Sequence, residues 1–104
     1  MRYEWDERKN HQNQRKHGVS FELAALVFED ADRILIPDHV DETGEQRWLA
    51  IGAVPVRSGN SSILLVAHVY REDRHDEEII RIISAREASK HEIRRYKESE
   101  MDGC

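Results

Sequence analysis

The sequence predicts an α+β domain: a small antiparallel sheet of three to four strands, with two helices before it and one after. Three observations carry this. Helix-length segments with capping residues occupy positions 6–30. From Ile34 onward the apolar pattern changes to short runs separated by turn residues. A further helix-like segment follows the last run. Helices grouped beside a strand meander make a two-layer α+β domain rather than alternating βα units. A length of 104 residues suits a single domain over 1–104 with one modest core.

The elements follow in chain order. Tyr3-Glu4-Trp5 reads as a short strand. Asp6 can cap a helix running to about Lys16, and Gly18 supplies the stop. Between Asp6 and Lys16 that helix has no apolar residue, so neighbours must hold it or a partner must cover it. Ser20 caps a second helix from Phe21 to about Asp30, nearly encircled by apolar side chains and therefore buried. Ile34-Leu35-Ile36 is a short strand ended by Pro37, and Asp38–Glu45 is a polar loop. Gln46–Val54 and Ser62–Tyr70 are a strand pair, turned by Pro55, Ser58, Gly59 and Asn60. The continuous apolar run Ile63–Ala67 marks a central strand. After the charged turn Arg71–Glu77, Glu78–Ile83 is the next strand. Ser84 and Glu87 have the spacing of a capping box, which opens a last helix running to about Glu98. On it Arg86, Lys90, Arg94 and Lys97 form a basic stripe.

Composition narrows the function classes. Charged residues make up 36% of the chain, yet Phe21–Phe28 and Ile63–Tyr70 are too apolar for disorder and too short to span a bilayer. Met1 leads directly into Tyr3-Glu4-Trp5 with no apolar targeting segment, and the single cysteine, Cys104, allows no internal disulfide. A cytoplasmic protein that contacts no membrane is expected. The net charge of −5 argues against nucleic-acid binding over the whole surface. From Arg81 to Lys97, however, six basic residues accompany only Glu87 and Glu92. The pattern is a local basic patch on an acidic body.

No nucleotide-binding loop, zinc spacing or nucleophile elbow occurs, and the six histidines show no familiar ligand spacing within a helix. Neither metal nor cofactor is expected. What remains is cationic. Arg81 lies inside a strand and Arg86 opens the following helix, whose free N–H groups favour anions. The two arginines make a phosphate cradle, although surface charge is the default fate of arginine. His68, near the end of the central strand, can act as a general acid or base, or can be a core-edge histidine with one hydrogen bond. Lys16 and His17 sit at a helix end, where the dipole alone accounts for cations. Trp5 and Trp48 suit a core better than a base-stacking platform. Arg47 precedes Trp48 in a strand and can pair with the acidic loop. From the residues alone, the chain is an α+β domain with a basic site suited to phosphate.

Two segments carry a resemblance. Trp5-Asp6-x-x-Lys9-x-x-x-Asn13-x-x-Lys16-His17-Gly18-Val19-Ser20-Phe21-Glu22 resembles the opening signature of the BrnT family. Arg81-Ile82-Ile83-Ser84-Ala85-Arg86, continued by Ala88, Glu92 and Tyr96, resembles its closing signature. Arg47–Gly52 and the strand ending at His68 are similar to the family's middle strands. The resemblance implies a RelE-like fold and a ribonuclease toxin that arrests translation. It further implies a BrnA-type antitoxin, a ribbon-helix-helix protein through which the complex binds and represses its own operator DNA.

For metal-free RNA cleavage, the 2′-hydroxyl attacks the adjacent phosphorus, and the protein must move two protons and stabilise added negative charge. Arg81 and Arg86 suit the charge. His68 or His17 suits the proton transfers. Lys16, His17, Arg71, Arg47, Lys90 and Arg94 suit flanking phosphates. A competing reading is a non-catalytic module that docks on a DNA-binding antitoxin and tunes repression, with the all-polar first helix as its docking surface. A third is a small-molecule or metal-binding regulator built on the histidines.

Overall fold

The computed structural model describes residues 1–102, so Cys104 lies outside the described residues. The order is β1 (Arg2–Glu4), α1 (Glu7–His17), α2 (Phe21–Ala25), a 3-10 turn (Leu26–Glu29), β2 (Ile34–Val40), β3 (Gln46–Pro55), a second 3-10 turn (Arg57–Gly59), β4 (Ser61–Glu72), β5 (Glu78–Glu87) and α3 (Lys90–Asp102). The α+β class holds. The sheet, however, has five strands rather than three to four, in the order β1-β5-β4-β3-β2. It is also mixed rather than antiparallel, because β1 lies parallel to β5, pairing Glu4 with Arg81. A strand of three residues has too little pattern of its own to announce a partner so distant in sequence.

The sheet is covered on both faces. On one, Phe21, Ala24, Val27 and Phe28 pack against Ala50, Val54, Leu64, Val66, Ile80 and Ile82. On the other, Tyr96 of α3 packs with Ile51 and Leu65. The predicted second helix is broken: after Ala25 it tightens into the 3-10 turn, which lies close against β3. Gly52 permits that approach, since a Cβ there would stand 2.9 Å from Val27 Cγ1 and 3.2 Å from its carbonyl oxygen. Asp30, just after the turn, accepts from the Ala53 amide at 2.8 Å and from the Tyr96 hydroxyl at 2.5 Å, tying both layers together.

Helix α1 has the predicted caps, with Asp6 accepting from the Arg8 amide and Gly18 left-handed at φ 71°. Lacking apolar residues, it is held by two buried asparagines, Asn10 and Asn13. The Asn13 amide donates to the carbonyls of Val19 at 2.8 Å and Ala85 at 2.7 Å, and accepts from the Ala85 amide at 3.2 Å. It thus occupies the edge of β5 beyond the point where β1 ends. Asn10 accepts from the Phe21 amide and donates to Glu22.

Two strand ends differ from expectation. β2 continues past Pro37 to Val40, because it is an edge strand on which a missing N–H can face solvent. β5 does not stop at Ile83: its ladder with β4 runs on to Glu87, after a register shift opposite Ala67 and His68. Ser84 and Glu87 are therefore strand residues. The working capping box is Ser89 and Glu92, in which Ser89 Oγ accepts from the Glu92 amide at 3.3 Å and Glu92 Oε1 from the Ser89 amide at 2.8 Å.

Candidate nucleic-acid interface

Three arginines from three adjacent strands meet on the face of the sheet that carries α3. Arg81 of β5 pairs with Val69 of β4. Arg71 lies two residues further along β4, on the same side. Trp48 of β3 pairs with His68, so Arg47, one residue earlier, falls beside Val69 as well. Val69 is the buried floor, and the guanidinium groups stand around it. They line a cleft of about 250 Å³ with Lys9 of α1 and the acidic segment after β2.

The cleft holds carboxylates as well as cations. Arg81 Nη1 lies 3.0 Å from Glu4 Oε1, and Arg71 Nη1 lies 3.7 Å from the same oxygen. Arg71 also forks onto Glu45, at 3.3 and 3.4 Å, and this hydrogen-bonded partner holds its guanidinium above the ordinary value. Arg47 pairs with Asp41 at 3.4 Å. The Asp41 carboxyl is lowered to about 2, first by the Thr43 hydroxyl and then by the Glu45 amide. The expected Asp38–Glu45 loop is thus β2 as far as Val40 and then a turn, Asp41–Glu45, from which Asp41 and Glu45 face the arginines.

A second cleft of about 250 Å³ adjoins the first, between α1 and β5, and includes Lys16, His17, Gln12 and Ser84 in its lining. Lys9 and Ile83 line both clefts. Of the sequence-selected residues, the structure therefore brings together Arg47, Arg71 and Arg81, with Lys16 and His17 in the adjoining cleft.

The remaining selected residues lie elsewhere. Arg86 does not open a helix. It is a β5 residue that forks onto Glu92, and Glu92's hydrogen bonds hold its guanidinium above the ordinary value. The proposed stripe of Arg86 with Lys90, Arg94 and Lys97 is not one helix face, because α3 begins at Lys90. Lys90 is exposed, and Arg94 lines a separate shallow hollow with His91, Arg95 and Glu98. His68 lies on the opposite face of the sheet at 0% exposure, its ring edge-on to Phe28 and Tyr70 at 4.8 and 4.9 Å. Its Nδ1 is 3.2 Å from the Val66 carbonyl oxygen, and its Nε2 has no hydrogen-bond partner among the described residues. Burial lowers it to about 4, so it is neutral at physiological pH.

Sequence reasoning did not select Lys9, Glu4 or Glu45 for the site. A signal for Lys9 was present: it shares a helix face with Asn13 and Lys16 on a helix with no apolar side. Glu4 had none, since its approach to Arg81 depends on the parallel β1–β5 pairing. Among the described residues, no group of three or more His, Cys, Asp or Glu side chains is placed to hold a metal ion. Nor is any described helix long and apolar enough to cross a membrane.

Chemically, guanidinium groups lining one cleft can donate hydrogen bonds to the oxygens of a phosphate. A family model described as the ribonuclease toxin BrnT of type II toxin–antitoxin systems matches residues 5–92, a span that includes both clefts' cations and Glu92. Comparison with curated proteins returned no match.

Proposed function

Because the chain belongs to the BrnT family of ribonuclease toxins of type II toxin–antitoxin systems, we propose that it is a cytoplasmic endoribonuclease that cleaves RNA without a metal ion and so arrests translation. The scissile phosphate sits in the arginine cleft. The observation that carries this reading is the convergence of Arg47, Arg71 and Arg81 from three strands around Val69.

In this mechanism the 2′-oxygen bonds to phosphorus and the bond to the 5′-oxygen breaks, leaving a 2′,3′-cyclic phosphate and a 5′-hydroxyl. The 2′-hydroxyl loses a proton and the 5′-oxygen gains one. Charge on the phosphoryl oxygens rises at the transition state, and Arg81, flanked by Arg71 and Arg47, stabilises it. His17, exposed at the rim of the adjoining cleft, takes one of the proton-transfer roles, and Lys16 holds a flanking phosphate. His68 has no part in the reaction, because the core seals it from substrate. Arg86 anchors α3 rather than substrate. Lys90 and Arg94, on the outer surface of α3, serve at most distal phosphates.

The antitoxin partner of such a toxin is, on this reading, a BrnA-like ribbon-helix-helix protein, through which the complex reaches operator DNA. The matching of every cleft arginine by a carboxylate favours a second reading, a non-catalytic partner of that antitoxin. Incubating the purified chain with mixed RNA in excess EDTA decides between them. Cleavage that disappears in Arg81→Ala supports the enzyme. RNA left intact by a folded wild-type protein, alone and with ribosomes, supports the binding module.

A further inference from the structure

The charges of the arginine cleft balance. Arg81 has Glu4 at 3.0 Å, Arg71 has Glu45 at 3.3 Å and Arg47 has Asp41 at 3.4 Å. Lys9 is the fourth cation lining the cleft, and it is exposed. Its side chain forms no ion pair among the described residues. It also lines the adjoining cleft, beside Lys16 and His17. Its backbone position is fixed, since Asn10 and Asn13 lock α1 onto β5 and α2.

We propose that Lys9 is a phosphate-binding residue of the ribonuclease site and supplies the net positive charge that draws RNA into the arginine cleft. This rests on reading the groove as the RNA site. The physical reason is a division of labour. A guanidinium already hydrogen-bonded to a carboxylate must share or exchange that partner before it can hold phosphate. The Lys9 ammonium gives up only water, on a flexible stem that reaches towards both clefts. The net charge of a cleft, rather than its gross number of cations, sets its attraction for a polyanion. Lys9 therefore governs capture, and the arginines govern the transition state. As the residue common to both clefts, it also joins the reacting phosphate to the neighbouring one.

The test uses the full chain and a single-stranded 2′-deoxy oligonucleotide, which lacks the attacking hydroxyl. Binding is followed by fluorescence anisotropy across a salt titration. Lys9→Gln is expected to bind about tenfold more weakly at low salt, with a log–log salt slope shallower by about 0.7, the value for one phosphate contact on a single strand. Lys9→Arg restores both. Arg57→Gln is the control: it removes one exposed charge at the opposite end of the β3–β4 hairpin from Arg47 and Arg71. In turnover, Lys9→Gln raises KM and leaves kcat within about twofold, whereas Arg81→Ala lowers kcat. Wild-type affinity and slope in Lys9→Gln, or a loss no larger than that of Arg57→Gln, overturns the role of Lys9 alone. A folded wild-type chain that neither binds the oligonucleotide nor cleaves RNA overturns it together with the ribonuclease reading.

Discussion

Arg86 and Glu92 clasp each other across the junction of β5 and α3, with two guanidinium nitrogens 2.8 and 2.9 Å from the two carboxylate oxygens. The same carboxylate closes the capping box on Ser89. One side chain therefore fixes both where α3 begins and how it is held to the sheet. Its hydrogen bonds from Arg86, followed by the Ser89 amide, lower the Glu92 carboxyl from 4.5 to about 2. Because the folded value is depressed, this contribution is fully present above pH 4.5 and is lost as pH falls towards 2. Glu92→Ala is expected to cost about 2 kcal/mol in urea unfolding, from one lost cap and one lost charge-assisted pair. Arg86→Ala weakens the same junction, yet on the proposed ribonuclease reading RNA cleavage by the folded variant is expected to stay within a few-fold of the wild type. A thousandfold loss in a fully folded Arg86→Ala protein would return Arg86 to the reacting groups.

Asn13 gives a second, larger effect. Its side chain satisfies both the N–H and the C=O of Ala85 at an edge of β5 that, among the described residues, β1 covers only as far as Arg81. Asn13→Ala leaves those groups and the Val19 carbonyl unpaired in a buried place, a cost of about 3 kcal/mol. Hydrogen exchange at the Ala85 amide reads this directly and should accelerate in the variant more than exchange at Val66, inside the ladder. Equal acceleration at both sites would mean that α1 is held by something other than this amide.

His68 makes stability depend on pH in the opposite sense from a salt-bridged histidine. Burial lowers it from 6.5 to about 4, so the unfolded chain binds the extra proton between those values. Stability is fully present above pH 6.5 and falls as pH drops towards 4, by about 3 kcal/mol in total. His68→Phe fills the space between Phe28 and Tyr70 and should flatten the urea-unfolding profile across that window. Its RNA cleavage rate at neutral pH should match that of the wild type. A pH slope unchanged in the variant would assign the acid sensitivity to other groups.

What the sequence made legible follows from how local each signal is. Asp6, Gly18 and Ser20 bracket their helices because caps are read within a few residues, and the apolar period exposed the central strands. The junction after β5 went the other way. Ser84-x-x-Glu87 and Ser89-x-x-Glu92 have the same capping-box form, and the choice between them belongs to β4, whose Leu64–Ala67 segment pairs with Ser84–Glu87 and keeps it extended. Taking Ser84 as the cap puts Arg86 on a helix, whereas it is a β5 residue, and so misplaces half of the expected cradle. Arg81 was placed correctly on its strand, but its neighbours Arg71, Arg47 and Glu4 were assembled by strand register, which no single segment encodes.

Glu4 supplies the sharpest test of the groove, because its Oε1 stands 3.0 Å from Arg81 and 3.7 Å from Arg71. It holds two guanidinium groups in place and at the same time cancels part of their attraction for phosphate. Removing its charge should therefore separate binding from chemistry. Glu4→Gln is expected to bind a 2′-deoxy oligonucleotide about threefold more tightly, from the gain of net positive charge. On the proposed ribonuclease reading its kcat should fall about tenfold, since Arg81 loses the carboxylate that orients its guanidinium. The pair is partly exposed, so global stability should change by less than about 1 kcal/mol. Single-turnover cleavage and anisotropy on the same preparation read the two quantities independently. Tighter binding with an unchanged kcat would show that substrate phosphate, rather than Glu4, sets the position of Arg81 in the reacting complex.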